Sequence, residues 1–427
     1  MKKLRLFLAI LFALPCCFVF SACSNNNDEL LSKIKDLQSQ IDTLESSYQK
    51  NNNSTLDTYD LYEQAIANDE FEGSFLDFLN ENFTITHDST SLVANKSTMS
   101  VVTVLAYNMK SSIRRGSGII YSLDNNGNAI IVTNYHVTYN TGSNSVFSNY
   151  ELNLYGQDST KTITAEFVGG SAEYDLAVLK VSNSNVLKNS NVSAVTLDTN
   201  DAKLGTTCLA IGNPNGDGIS ITRGVVSRDS ESVKTTVAGL QKYRRLLRHD
   251  AYITNGNSGG GLFDMNGNLI GITNAGETNA NHINYAIPSS TIYAVVQSIL
   301  ANCLNTPRTS ATTLNLGALY VSESNTSTYN PQTGFIDIVE SVIFAEIQET
   351  SILKQTNILQ SGDEIINLSL DAGEVNEISK DITRTHHVKE FLLKAKAGDI
   401  LTITAKRNGA TISTTLSITA NDIISVA

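Results

Sequence analysis

The chain is poor in cysteine, in positive charge and in long apolar runs, and each shortage excludes something. Of the five cysteines in 427 residues, Cys16, Cys17 and Cys23 crowd the N-terminus. Cys208 and Cys303 sit in apolar surroundings that suit small buried hydrophobes, not a disulfide framework. The formal charge is −12, and removing residues 1–22, which hold Lys2, Lys3 and Arg5 and no acid, leaves −15. Such a chain repels phosphate backbones, and no basic stripe offsets the effect, which argues against a nucleic-acid partner. The locally basic "KYRRLLRH", Lys242 to His249, reads as a solvated loop or strand edge. The apolar run from Leu6 to Phe20 is 15 residues long, short of the roughly 20 a membrane helix needs but suited to the core of a secretory signal.

At this length two or three domains are expected, and a hydrophobic content of 41% supplies real cores. The run ends in "FSAC" before the polar "SNNND". This resembles a bacterial lipoprotein signal, with Phe20 where leucine is commoner. The resemblance implies cleavage after residue 22, acylation of Cys23 and an extracytoplasmic, lipid-anchored location on a bacterial cell membrane. Residues 23–59 form a stalk and linker: Leu30, Ile34, Leu37, Ile41 and Leu44 follow a heptad seam, either an oligomerising coil or a solvated tether helix. Residues 60–92 carry helical periodicity around Gly73 and resemble a short helical module of Gram-positive surface proteins.

From residue 93 to 305 the texture becomes short β-type runs such as "SVVTVLAY", "NAIIVTNYHV" and "DLAVLKV", spaced as in a barrel or sandwich. Within them, "TNGNSGGG" sets a lone Ser258 among four glycines. A serine becomes a nucleophile only when a base takes its proton and a third group orients that base. His136 ends an apolar run, Asp175 precedes another 39 residues on, and Ser258 follows after 83 more. That order, His, Asp, Ser, is the one used by chymotrypsin-type barrels in the general triad scheme.

"GSGIIY", "TNYHV", "YDLAVLKV", "LAIGNPNG", "RGVVS", "GNSGG", "NGNLIGIT" and "NYAIPSS" occur in this order. Together they resemble the protease domain of the HtrA (DegP/DegS-type) serine proteases. The resemblance implies a mainly β, chymotrypsin-like double barrel over residues 93–305. In it His136 is the general base, Asp175 orients it, Ser258 attacks, and Gly256, Asn257 and Ser258 form the oxyanion hole. The family usually reads "AAINPGNSGGPL" where this chain has "AYITNGNSGGGL", which should loosen the loop. Tyr252, six before the serine, is not acidic. The specificity walls, Tyr252, Thr254, Asn255, Thr273, Asn274 and Ala275, therefore favour small or medium aliphatic residues.

Residues 312–427 resemble a PDZ-like α+β domain on "LQSGDEIINL" and "HHVKEFLLKAKAGDILTITAKRNGA". Leu316, Gly317 and Ala318 would hold a peptide carboxylate, and Thr306 to Leu314 reads as a polar linker. The pair His386–His387 reads as ordinary surface histidines, against a ligand contact or pH switch. No cofactor and no metal site is indicated. The implied partners are unfolded or exported polypeptides, C-terminal peptides at the PDZ-like domain, the membrane through the lipid, and further copies of the chain, as a trimer. The function expected is hydrolysis of peptide bonds in misfolded or exported proteins. The alternatives are a largely non-proteolytic chaperone and a peptide-binding surface scaffold.

Overall fold

The structure, a computed structural model, describes residues 89–426 except 111–112, 157–160, 277–281, 304–308 and 372. The signal, Cys23, the heptad seam and most of the helical module lie outside the described residues. Helix α1 (Ser89–Thr98) leads into a first set of strands: β1 (Val101–Tyr107), β2 (Ile113–Leu123), β3 (Ala129–Thr133), β4 (Asn149–Leu154), β5 (Ile163–Ser171) and β6 (Leu176–Val181). They are β-branched and apolar, as pleated, buried surfaces favour. The hydrogen-bonded order is β5-β4-β1-β2-β3-β6, and β6 returns to β5 to close a barrel. Val102, Val104, Ile120, Ile131, Leu152 and Leu179 fill it.

A second barrel follows from β7 (Thr196–Leu197), β8 (Thr207–Gly212), β9 (Ser220–Val237), β10 (Leu240–His249), β11 (Gly261–Asp264), β12 (Asn268–Gly276) and β13 (Asn284–Pro288). Its order is β11-β8-β9-β10-β13-β12, closed by β11 against β12, with β7 added alongside β12. Closure removes the open sheet edges that invite aggregation. A shared cluster joins the barrels: Ile119, Val132 and Leu176 of the first meet Leu209, Ile211, Phe263 and Ile272 of the second. Helix α2 (Ser289–Cys303) adds Ile292, Val295, Val296 and Ile299 to that cluster, all fully buried at helical spacing. The architecture is the double β-barrel expected from the sequence.

The C-terminal lobe is α+β: β15 (Ala318–Asn330), β16 (Phe335–Ile347), β17 (Glu364–Leu370), β18 (Ile378–Asp381), helix α3 (Thr385–Leu392), β19 (Ile400–Arg407) and β20 (Ala410–Ser417). The sheet runs β15-β16-β17-β19-β20, with β18 on β17, over a core of Phe344, Leu368, Val388, Phe391, Leu401 and Ile403.

Three expectations require correction. The polar linker is largely a strand: β14 (Thr309–Leu314) pairs parallel with β5 and antiparallel with β21 (Ile423–Val426). Ala311 and Val426 join the inter-barrel core, which a reading by polarity missed because only Ala311 and Leu314 of the strand are apolar. "KYRRLLRH" is a solvated edge only in part: it lies within β10, where exposed Lys242 and Tyr243 pair with β9 alone but Leu247–His249 lie between β9 and β13. There Arg244 is buried and donates to the carbonyl oxygens of Ala172 and Thr235, each at 2.7 Å. His386 and His387 are not surface histidines: their side chains are 10% and 11% exposed, and both face Asp201.

His249 closes β10 with 0% exposure, opposite Asn284, and burial pushes its pKa down to about 4. The folded protein therefore keeps this imidazole neutral, while the unfolded chain takes up a proton once the pH falls below about 6.5. Stability from this group is complete above that value and is lost as the pH falls towards 4. Urea unfolding of the wild type should show about 2 kcal/mol of loss between pH 7 and 5 that His249→Leu lacks. Parallel curves for the two proteins would contradict this.

Candidate active site

His136 lies in a single helical turn, Tyr135–Thr138, directly after β3, while Asp175 immediately precedes β6. Because β3 and β6 pair, with Thr133 opposite Ala177, two residues distant in sequence share one end of the first barrel. Asp175 takes the left-handed conformation, φ +54°, which aspartate tolerates better than most residues. Its carboxylate is fully buried. Oδ1 accepts the His136 backbone N–H at 2.9 Å, and Oδ2 pairs with His136 Nδ1 at 2.8 Å and accepts Asn274 Nδ2 at 2.6 Å. The Asp175 carbonyl oxygen accepts from Asn134 Nδ2 at 2.9 Å. With Nδ1 donating to the carboxylate, Nε2 carries the lone pair that can take a proton. The ring is 31% exposed, so solvent and ligands reach it.

Ser258 belongs to the loop between β10 and β11. The loop is tied from both sides: Asn257 N–H donates to the Thr254 carbonyl at 3.1 Å, Gly260 N–H to Asn257 at 2.8 Å and Gly259 N–H to Thr273 at 3.0 Å. From the first barrel, Ser117 N–H donates to the Ser258 carbonyl and Ser117 Oγ to the Gly256 carbonyl, both at 2.8 Å. Gly256 has φ +96°, and neither its N–H nor that of Ser258 finds an acceptor among the described residues. The Ser258 hydroxyl donates to the Asn274 carbonyl oxygen at 3.0 Å and not to His136. One residue therefore touches both halves of the site: Asn274 holds Asp175 by its side chain and Ser258 by its backbone.

The residues expected to wall the specificity site divide. Tyr252 is 60% exposed and Asn255 is also exposed. Thr273 is fully buried and its Oγ1 donates to the Asn257 carbonyl at 2.6 Å, so it braces the loop from beneath and lines no open wall. Asn274 is likewise buried. Sequence reasoning missed Ser117, although "GSG" in β2 carried a signal for it: Gly116 packs against Val137 and the Ser258 carbonyl with no room for a Cβ. At the candidate carboxylate loop, Leu316 is buried, Gly317 has φ +64°, and the Gly317 N–H already donates to Asn315 Oδ1 at 3.0 Å.

Residues 116–272 match the trypsin-like peptidase domain. The chain is 30% identical over 305 residues to the serine protease Do-like HtrA of Bacillus subtilis, covering 69% of this chain and 61% of that protein. It is 32% identical over 193 residues to a probable periplasmic serine endoprotease DegP-like of Rickettsia conorii, covering 44% and 34%. Among solved structures, the HtrA-type protease AlgW with tripeptide is similar in fold, with a TM-score of 0.50 at 24% identity, over 77% of this chain and 96% of that one. The fold and the match over residues 116–272 give the chain a trypsin-like peptidase domain. Within that class the chain is of HtrA type. It spans about 60% of the length of the two Bacillus relatives, HtrA and HtrB, at 61% and 60%.

The loop depends on Gly259. Its φ is +87°, and a Cβ there would lie 2.1 Å from the Ser117 carbonyl oxygen and 2.3 Å from Thr133 Oγ1. Gly267 has a similar φ of +81° but no neighbour closer than 3.6 Å. Gly267→Ala should cost only the backbone penalty, about 1–2 kcal/mol, and Gly259→Ala at least ~3 kcal/mol. Chemical denaturation of the two variants checks this; equal costs would show that Gly259 is not enclosed.

Proposed function

We propose that the chain is a serine endopeptidase in which Ser258 attacks the scissile carbonyl, His136 is the general base and Asp175 positions the imidazole. The observation that carries the reading is the clamp on His136, gripped at ring and backbone by one buried carboxylate. Ser258 Oγ turns from the Asn274 carbonyl to His136 Nε2, which takes its proton as the Oγ–C bond forms. The negative oxygen of the tetrahedral intermediate is received by the N–H groups of Gly256 and Ser258, held in shape by Asn257; each such donor lowers the barrier by about 3–4 kcal/mol. His136 returns the proton to the leaving amine, and water, deprotonated in turn by His136, releases the acyl group. Tyr252, Thr254, Asn255 and Ala275 border the side-chain pocket. With no acid at position 252, small or medium aliphatic residues are preferred over Lys and Arg.

The same reading places the chain outside the cytoplasm, tethered through a lipid on Cys23, acting on misfolded or exported polypeptides as a homo-oligomer, a trimer by family resemblance. The relative from Rickettsia named as periplasmic supports the location. The C-terminal lobe takes C-terminal peptides along edge strand β15, with Leu316–Ala318 at the carboxylate. One observation favours a second reading, a largely non-proteolytic chaperone or peptide-binding surface scaffold: the serine hydroxyl rests on the Asn274 carbonyl.

Incubation with unfolded casein separates the two. The mature protein should cleave it, and Ser258→Ala should lose about a million-fold in turnover. Absence of cleavage by both proteins, with both suppressing aggregation of the substrate, would favour the chaperone.

A further inference from the structure

The seam between the protease barrels and the C-terminal lobe gathers side chains that the proteolytic mechanism does not use. Asp201 projects from the segment between β7 and β8, and helix α3 turns its first two histidines towards it. His386 Nε2 lies 2.9 Å and His387 Nε2 3.6 Å from the same oxygen, Asp201 Oδ2. The three donor atoms all lie within 4.8 Å of one another. The imidazoles meet edge to face with centroids 4.7 Å apart, so both nitrogens converge on one point. Two adjacent histidines on a helix ordinarily diverge by about 100° around its axis. Here both Nε2 atoms nonetheless reach the same carboxylate oxygen.

We propose that Asp201, His386 and His387 bind a divalent transition-metal ion of the zinc class and thereby tie α3 to the protease barrels. Two imidazole nitrogens and one carboxylate oxygen suit zinc, cobalt or nickel better than the all-oxygen preference of magnesium or calcium. A tetrahedral ion with bonds of about 2.1 Å spaces its ligands about 3.4 Å apart, so side-chain adjustment of an ångström or so from the observed spacing suffices. The surroundings supply support for the ligands. Arg245 donates to the other carboxylate oxygen, Asp201 Oδ1, leaving Oδ2 for the ion. A second contact of Arg245 runs to Glu390 Oε1 at 2.7 Å, which also accepts from Thr291. Asp201 and Glu390 thus outweigh Arg245 by one negative charge. Hydrogen-bonded carboxylate ligands of this sort are common around bound metals.

Protons balance without a co-reactant. Without the ion, Thr383 N–H lies 3.4 Å from His387 Nδ1, which puts the ring proton on Nε2, towards Asp201. Metal at the two Nε2 atoms moves each ring proton to its Nδ1, that of His387 facing Thr383 Oγ1 at 3.5 Å. A fourth ligand, water, has a route: Asp201 and His387 line a cleft of about 580 Å³ between the lobes, with Lys203, Arg384 and Glu390 on its walls.

The test uses the mature protein, stripped of metal and titrated with Co²⁺ as a spectroscopic probe and Zn²⁺ by calorimetry. One equivalent should bind with the visible band of low-symmetry cobalt, equally in wild type and in His136→Ala, which removes the exposed imidazole of the active site. The double variant His386→Ala/His387→Ala should lose the band, and the near-isosteric Asp201→Asn should weaken binding at least about tenfold. Because removing both histidines could loosen the lobe, far-UV circular dichroism accompanies it, and Asp201→Asn decides the matter if the double variant is unfolded. Binding unchanged in Asp201→Asn, binding lost in His136→Ala, or no binding by the wild type would each overturn the proposal.

Discussion

One buried carboxylate organises the active end of this molecule. Asp175 is removed from water, and an unpaired charge there would be prohibitively costly, so its partners must remain in place for the fold to persist. Those partners are the ring and backbone of His136 and the side chain of Asn274. The second barrel reaches the carboxylate through Asn274, and the first through the turn after β3. The carboxylate that orients the imidazole is therefore also a point where the two barrels meet. A disturbance of the inter-barrel packing reaches the imidazole without any residue of the site being altered.

The nucleophile loop is held differently. It makes its hydrogen bonds through backbone groups, against Ser117 on one side and Thr273 on the other. It holds no proline, and shape comes instead from glycines enclosed by neighbouring carbonyls. Such a loop is fixed at its base and free at its tip, where the Ser258 hydroxyl has a choice of acceptors. The resting choice is a carbonyl oxygen of the same residue that steadies Asp175, so the serine and the imidazole are joined through Asn274 in this state.

Much of this was legible in the sequence because it depends on local chemistry. Alternating apolar runs gave the strands, and the chain order of His136, Asp175 and Ser258 pointed to a chymotrypsin-like site. What escaped depends on contacts between distant segments. Thr273 and Asn274 look like pocket walls until the β12–β13 register turns them inward. Polar Thr309–Leu314 reads as linker because a strand added to a sheet needs only backbone groups, which carry no sequence signature. The basic run around Arg244 reads as solvated because nothing nearby in the chain announces the carbonyls of Ala172 and Thr235 that receive it. His386 and His387 look superficial for the same reason: Asp201 lies 185 residues away from His386.

The C-terminal lobe is joined to the barrels in an unusual manner. The strand by which the chain passes into it, β14, lies hydrogen-bonded beside the strand by which it leaves, β21, and β14 is itself laid against β5. The lobe thus hangs from a two-ply root sewn into the rim of the first barrel. The lobe is pinned away from that root as well, by Arg384 on Asp229, Lys203 on Asp337 and Arg245 on Glu390. Backbone pairing at the root and ion pairs along the seam thus fasten the lobe by two unlike means, one indifferent to salt and the other weakened by it.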